Sequence, residues 1–157
     1  MKCLLARSIP FALLLFMTAF DGFAQKDQKA ISELIGSRNY IFKAETASPM
    51  SGRTRQLTPG YLLKISGDTV IADLPYYGRA YSAPTNLSGG GISFTSVSSK
   101  YESSLDKKNR WQIQIKPIGV EDVDELTLTV FENGRADLKV NSRNRQPIAF
   151  SGYINGK

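Results

Sequence analysis

Residues 71–84 read IADLPYYGRAYSAP. Within this stretch Tyr76, Tyr77, Arg79 and Tyr81 are the side chains best suited to hold a ligand. A tyrosine offers a flat apolar face and a hydroxyl, which suits sugar rings and interfaces. An arginine can pair with a carboxylate or a phosphate. Leu74 ends an alternating stretch, and Pro75 cannot donate to a strand ladder. The chain therefore leaves its sheet just before the tyrosines. Two placements follow. In one, the four residues form a rim at a barrel mouth that takes a small ligand or glycan. In the other, Tyr76 plugs one end of the core while Tyr77 and Tyr81 pack on outer strand faces, since consecutive side chains of an extended chain point to opposite sides. Tyr76, Tyr77, Arg79 and Tyr81 are carried forward as the candidate ligand-binding residues.

Catalytic chemistry is poorly provided for. The chain has no histidine. That removes Ser-His-Asp and Cys-His nucleophile systems, His-ligated zinc and the usual neutral-pH proton shuttle. An enzyme here would have to work with carboxylates, Lys, Tyr or Ser. Glu121, Asp122, Asp124 and Glu125 crowd one connection, and calcium favours such oxygen-rich loops. The EF-hand spacing and its glycine are missing, however. A glycosidase would set its carboxylates across a cleft; these four share one short stretch. The expectation is no catalytic residue, no metal and no cofactor. Two basic pairs, Arg53/Arg55 and Arg143/Arg145, each point one way on an extended chain. They would form an anion site if they met, and a solvated face otherwise. Arg145, close to Pro147, has a further option: it can brace the loop before the last strand by donating to carbonyl oxygens.

The ends bound the setting. Lys2 and Arg7 precede an apolar run, residues 9–20, and Gly22-Phe23-Ala24 supplies small residues for cleavage before Gln25. Residues 1–24 read as a secretory signal peptide, and residues 25–157 as a single β-rich domain. The one cysteine, Cys3, precedes the apolar run, so it is not a lipoprotein cysteine and the mature chain has no thiol. Lys2, Arg7 and Asp21 go with the leader, leaving 18 basic and 13 acidic residues. That balance favours anionic surfaces of the envelope. Export argues against nucleic acid as a partner. The expected location is periplasmic or outer-envelope associated, with no membrane span in the mature part.

The elements follow from period. Asp27 to Gly36 reads as one short helix, with Asp27 as cap, Ile31, Leu34 and Ile35 as its stripe and Gly36 as terminator. Beyond it the period is two. In YLLKISGDTVIADL a two-residue Gly67-Asp68 loop suits a type II′ turn. It sets Ser66 opposite Thr69, Ile65 opposite Val70, Leu63 opposite Ala72 and Tyr61 opposite Leu74. In ELTLTVFENGRADLKV a two-residue Asn133-Gly134 loop would put Leu128 opposite Lys139, mixing core and solvent on one face. A three-residue loop, Glu132-Asn133-Gly134 with Gly134 left-handed, instead sets Val130 against Ala136, Leu128 against Leu138 and Leu126 against Val140. NYIFKAET, GISFTSV, RWQIQIKPI and PIAFSGYI supply the other strands. Trp111, Ile113 and Ile115 face inward, as do Ile148, Phe150 and Ile154. The segment around 46–59 reads as an exposed loop. No helix is long enough for a parallel crossover. The fold class is therefore all-β: a small antiparallel barrel, lipocalin-like, or a sandwich of about eight strands, after one short helix.

These pieces in order carry a resemblance. A leader and short helix precede PGYLLKISGDTVIADLPYYGRAY and GISFTSV. A run through Gly134, Ala136, Leu138, Val140, Ser142, Asn144 and Arg145 follows, then Ile148, Phe150, Gly152 and Ile154. The chain resembles domain-of-unknown-function family 4251, secreted proteins mainly of Bacteroidota. The resemblance implies an envelope or periplasmic β-rich domain and no catalytic residue. Asp68-Thr69-Val70 also resembles a short O-glycosylation acceptor of those bacteria, with Thr69 as acceptor. The expected function is a non-catalytic binding module for a small ligand, glycan or envelope component. The alternative is a structural or protein-interaction module with a filled core, in which Phe42, Phe94, Trp111 and Phe150 pack.

Overall fold

The computed structural model of the chain describes residues 21–81 and 90–156, with side chains from Lys29 onward. The basic start, the apolar run and Cys3 lie outside the described residues, as does Gly89 of the glycine run. One helix, α1 (Asp21–Ser37), precedes ten strands. These are β1 (Asn39–Pro49), β2 (Arg55–Gln56), β3 (Leu62–Ser66), β4 (Thr69–Leu74), β5 (Ile92–Ser96), β6 (Ser99–Leu105), β7 (Trp111–Pro117), β8 (Val123–Val130), β9 (Arg135–Ser142) and β10 (Ile148–Gly156).

The strands neighbour one another in the order β5-β4-β3-β1-β10-β9-β8-β7-β6, with β2 attached to β1. Each pairing along this path is antiparallel. The path is an up-and-down meander whose first and last long strands pair, curled into a nearly closed barrel. The barrel reading therefore holds over the sandwich. An even number of antiparallel steps separates β5 from β6, so the two run the same way. They are halves of one long strand broken at Val97–Ser98. The first half pairs with β4 and the second with β7.

Both hairpins adopt the registers that their turns dictate. Gly67 has φ 60°, as the first central position of a II′ turn needs. Ser66 faces Thr69, Ile65 faces Val70 and Leu63 faces Ala72. Tyr61 departs from its expected place opposite Leu74: it precedes β3, and its carbonyl accepts from Ala44 N at 3.0 Å. In the other hairpin Gly134 has φ 78°. Val130, Leu128 and Leu126 face Ala136, Leu138 and Val140.

Alternation then sends every second side chain inward. Phe42, Phe150, Leu63, Ile113, Leu128 and Leu138 are fully buried. Trp111 and Phe94, expected inside the core, are half-buried and pack against it. β6 and β2 were not legible as strands. β6 buries a single side chain, Tyr101, and β2 buries none, so neither shows an apolar period. The exposed loop expected around 46–59 is shorter than that: residues 46–49 continue β1, where Ala47 is fully buried, and only 50–60, apart from Leu57, are exposed.

α1 covers one end, with Ile31 against Gly134 and Leu34 against Gly156. Its limits differ from those expected. Asp27 lies inside the helix, not at its cap, because the residues before it hold no proline to stop helix growth. Nor does Gly36 end it. Arg38 takes the left-handed conformation, φ 49°, and its N–H donates to the Ile35 carbonyl at 3.2 Å. A side chain there carries a steric penalty. Arg38 offsets it by stacking 4.7 Å from the Tyr101 ring centroid and pairing with Asp68 at 3.4 Å. Inside, the Tyr40 and Tyr101 hydroxyls are 3.0 Å apart, and Tyr101 donates to the Ile35 carbonyl at 3.4 Å.

Burial pushes the Tyr40 phenol pKa far above its ordinary value, and burial raises that of Tyr101 against the opposing Tyr40 hydrogen bond and Arg38 charge. The unfolded chain releases these protons near pH ~10 and the fold retains them. Stability is therefore full below about pH 10 and falls as pH rises beyond it. Urea unfolding at pH 8 and 11 will show this loss, and Tyr40→Phe will make it smaller. Gly152 faces the β1 irregularity between Ala44 and Thr46. A methyl at Gly152 would overlap the Lys43 carbonyl oxygen, whereas one at Gly36 would meet nothing. Gly152→Ala will cost about 1–3 kcal/mol in urea unfolding, and Gly36→Ala will be neutral or stabilise by about 0.4–1 kcal/mol.

Candidate functional site

Tyr76 turns inward at the end of the barrel away from α1. Its single hydroxyl proton lies between the carbonyl oxygens of Arg79 at 2.8 Å and Gln146 at 3.0 Å. The Arg145 guanidinium stands 5.2 Å from its ring centroid. A methyl at Gly78 would overlap the Tyr76 ring, so glycine leaves room for the turn. Burial raises the Tyr76 phenol pKa, while the Gln146 hydrogen bond and the Arg145 charge oppose that rise. Gln146 N donates to the Arg79 carbonyl at 3.0 Å, and Tyr81 N donates to the Asn144 carbonyl at 2.8 Å. With the Ala80–Arg145 bridge, these bonds strap residues 76–81 to 144–146.

The other three candidates face outward. Tyr77 is exposed and carries the Arg55 guanidinium 4.7 Å from its ring centroid. Arg79 and Tyr81 are exposed, and Arg79 makes no salt bridge among the described residues. The structure thus separates Tyr76 from Tyr77, Arg79 and Tyr81, and neither of the two largest described pockets is lined by any of them. Tyr76 closing the core end, with its neighbours on the outside, is the placement observed.

Arg145 is 4% exposed. Its Nη1 donates to the carbonyl oxygens of Gly90 and Gly91, each at 2.9 Å, and its Nη2 donates to Asp122 Oδ2 at 2.6 Å. Arg145 thus donates to carbonyl oxygens, but to those that lead into β5 and not to the loop before the last strand, because its side chain reaches across to the neighbouring edge. Two residues earlier Arg143 donates to Asp124 Oδ1 at 2.5 Å. Lys116 stands 3.8 Å from Glu125. Three of the four carboxylates of the acidic connection, Asp122, Asp124 and Glu125, are therefore answered by cations. No cluster of three or more metal-ligating side chains occurs among the described residues. Arg53/Arg55 and Arg143/Arg145 do not meet in one anion site: Arg55 stacks on Tyr77 and Arg145 is buried. Thr69 is half-buried at the first position of β4.

Sequence reasoning passed over the largest described pocket. It has a volume of about 610 Å³ and lies on the outer face, between β1, β10 and the segment entering β3. Tyr61, Tyr153, Leu57, Lys43, Glu45 and Arg135 are among its lining residues. Arg135 donates to Glu45 Oε2 at 2.7 Å across its floor. The pocket exists because residues 57–61 stand off β1, held by Leu57 N to the Glu45 carbonyl at 2.8 Å and Ala44 N to the Tyr61 carbonyl. Tyr153 sits on the outer face by alternation with Gly152 and Ile154. That alternation was visible, but the standing-off loop was not.

Residues 23–154 match the family described as Domain of unknown function (DUF4251). The chain belongs to this family. A crystal structure of a DUF4251 family protein from Bacteroides eggerthii DSM 20697 is similar to it, with a TM-score of 0.60 at 14% sequence identity. The match covers 83% of this chain and 88% of that one. At such identity the likeness shows the fold. No curated protein matches the chain.

In this DUF4251 barrel the Arg145 contacts make a clear demand. Arg145→Met removes the charge and leaves Asp122 and two carbonyl oxygens without their donor. It will destabilise by about 3 kcal/mol, at the low end for a broken buried pair because Asp122 is partly solvated. Adding Asp122→Asn will recover part of that loss. Thermal unfolding of the two variants checks both statements.

Proposed function

We propose that this protein is a secreted, non-catalytic binding module of the cell envelope that takes its ligand, a glycan, on the outer face of the barrel. The observation that carries this is the pocket of about 610 Å³ beside a filled interior. Its size falls within the usual range for ligand sites. Tyr61 and Tyr153 offer ring faces to the apolar side of a sugar. Glu45, Gln56 and Arg135 offer planar polar groups to its hydroxyls. A chain without histidine, whose one cysteine lies in the leader, supports binding over catalysis. The leader and the basic balance support export and an envelope setting.

The test is a panel of envelope polysaccharides and their oligosaccharides, measured by calorimetry with the purified protein. Tyr153→Ala will weaken binding about tenfold without moving the unfolding midpoint, since its ring lies on the outer face. Retained affinity in Tyr153→Ala and Arg135→Ala, or no binder in the panel, would sink the reading.

A further inference from the structure

The break in the closing strand leaves a gap between β5 and the β7–β8 connection. Two side chains bridge its ends. Arg145 ties Gly90 and Gly91 to Asp122 at one end. At the other, the Ser96 hydroxyl accepts from Ile118 N at 3.1 Å and lies 2.6 Å from the Ser98 carbonyl and 2.9 Å from that of Ile118. Between them, among the described residues, no backbone hydrogen bond joins Ile92–Thr95 to Gly119–Val123. A pocket of about 320 Å³ runs there instead. We infer that this gap accepts an extended segment of a partner protein, which pairs with β5 as an added strand.

Three observations support that occupant. Backbone groups along a free edge are obligatory hydrogen-bonding groups and template a further strand. Free edges are normally blunted by charge, proline or a covering element. β6, the other half of the broken strand, is blunted: Lys100 and Glu102 project from it, and the C-terminal end of α1 meets Tyr101. β5 reads Ile-Ser-Phe-Thr-Ser, with neither charge nor proline. Phe94 and Val120 line the gap, and Val97 and Ile118, 78% and 53% exposed, stand at its Ser96 end. Apolar side chains beside an open ladder are what strand addition uses, the backbone giving affinity and alternate side chains giving specificity. Because the gap is bounded on both sides, a single extended segment is a better match to it than the wall of a second barrel. The segment would carry apolar residues at alternate positions, facing Phe94 and Val120.

A displayed library of random nine-residue peptides, selected on the purified full chain, tests this. Peptides of alternating apolar and polar residues will be enriched. Bound, they will slow exchange of the Ser93–Ser96 amides that point away from β4 by about tenfold or more. Ser93 and Thr95 are exposed edge positions, so Ser93→Lys and Thr95→Lys will keep the unfolding midpoint and weaken binding about tenfold. The proposal fails if no peptide is enriched, if protection maps to Tyr61 and Tyr153, or if both lysine variants bind like the parent. It fails equally if the β5 amides that point away from β4 are already protected in the free monomer, or become so with protein concentration alone, which would make a second copy the occupant.

Discussion

The Arg145 guanidinium donates to the carbonyl oxygens of Gly90 and Gly91 and to Asp122, and so joins two edges of a sheet that the ladder leaves apart. Much else hangs on that placement. The strap from residues 76–81 to 144–146 runs through its own backbone. Tyr76 lies against its guanidinium, and Gly78 is small because Tyr76 must be there. Burying a full charge is costly unless every donor finds an acceptor. A planar fork can serve two carbonyls from one nitrogen and a carboxylate from another, which a lysine ammonium on a flexible stem cannot reproduce. The barrel is held at this seam by fixed side-chain geometry.

Ser96 plays the corresponding part where the closing strand breaks. It and Arg145 are the two buried polar residues among those described. They mark the two ends of the same gap. A regular ladder would have made both unnecessary, because backbone groups would have satisfied one another. The break therefore has a local chemical signature: two buried polar side chains, each bonded to main-chain atoms, with an unladdered stretch between them.

What the sequence made legible was whatever repeats along the chain. The period of two, together with the φ that Gly67 and Gly134 tolerate cheaply, set both hairpin registers, with only the outermost pair, Tyr61 and Leu74, not formed. That Arg145 would donate to carbonyl oxygens was visible from its place just before the last strand; that those carbonyls belong to Gly90 and Gly91, far away in the chain, was not. β6 was not, since an edge strand with one buried residue has no apolar alternation to read. The helix limits failed for a related reason: Asp27 and Gly36 fit local rules, but Arg38 ends the helix through contacts with Tyr101 and Asp68, from distant parts of the chain. The facing pairs Arg143/Arg145 and Asp122/Asp124 also join separate segments. Each half showed its spacing of two, and only the β8–β9 pairing brings the halves together. The outer pocket showed only the alternation that turns Tyr153 outward, because its depth comes from a loop standing off a strand.

The interior explains why function should be sought outside. Counting β5 and β6 as one broken strand, the meander makes a circuit of eight. A barrel of about that number is just wide enough for side chains to fill. Holding a ligand inside it requires small residues on the inward face. Here that face carries Phe42, Phe150 and Tyr40, with branched aliphatic side chains around them. α1 lies over one end, and Tyr76 with Arg145 occupies the other. Emptying such a core to admit a ligand would remove several kcal/mol of packing per large side chain. The outer faces carry no such constraint. Tyr153, Glu45 and Arg135 project from strands whose inward neighbours already fix the backbone, so the rigid core positions these outer side chains without being part of the pocket they line.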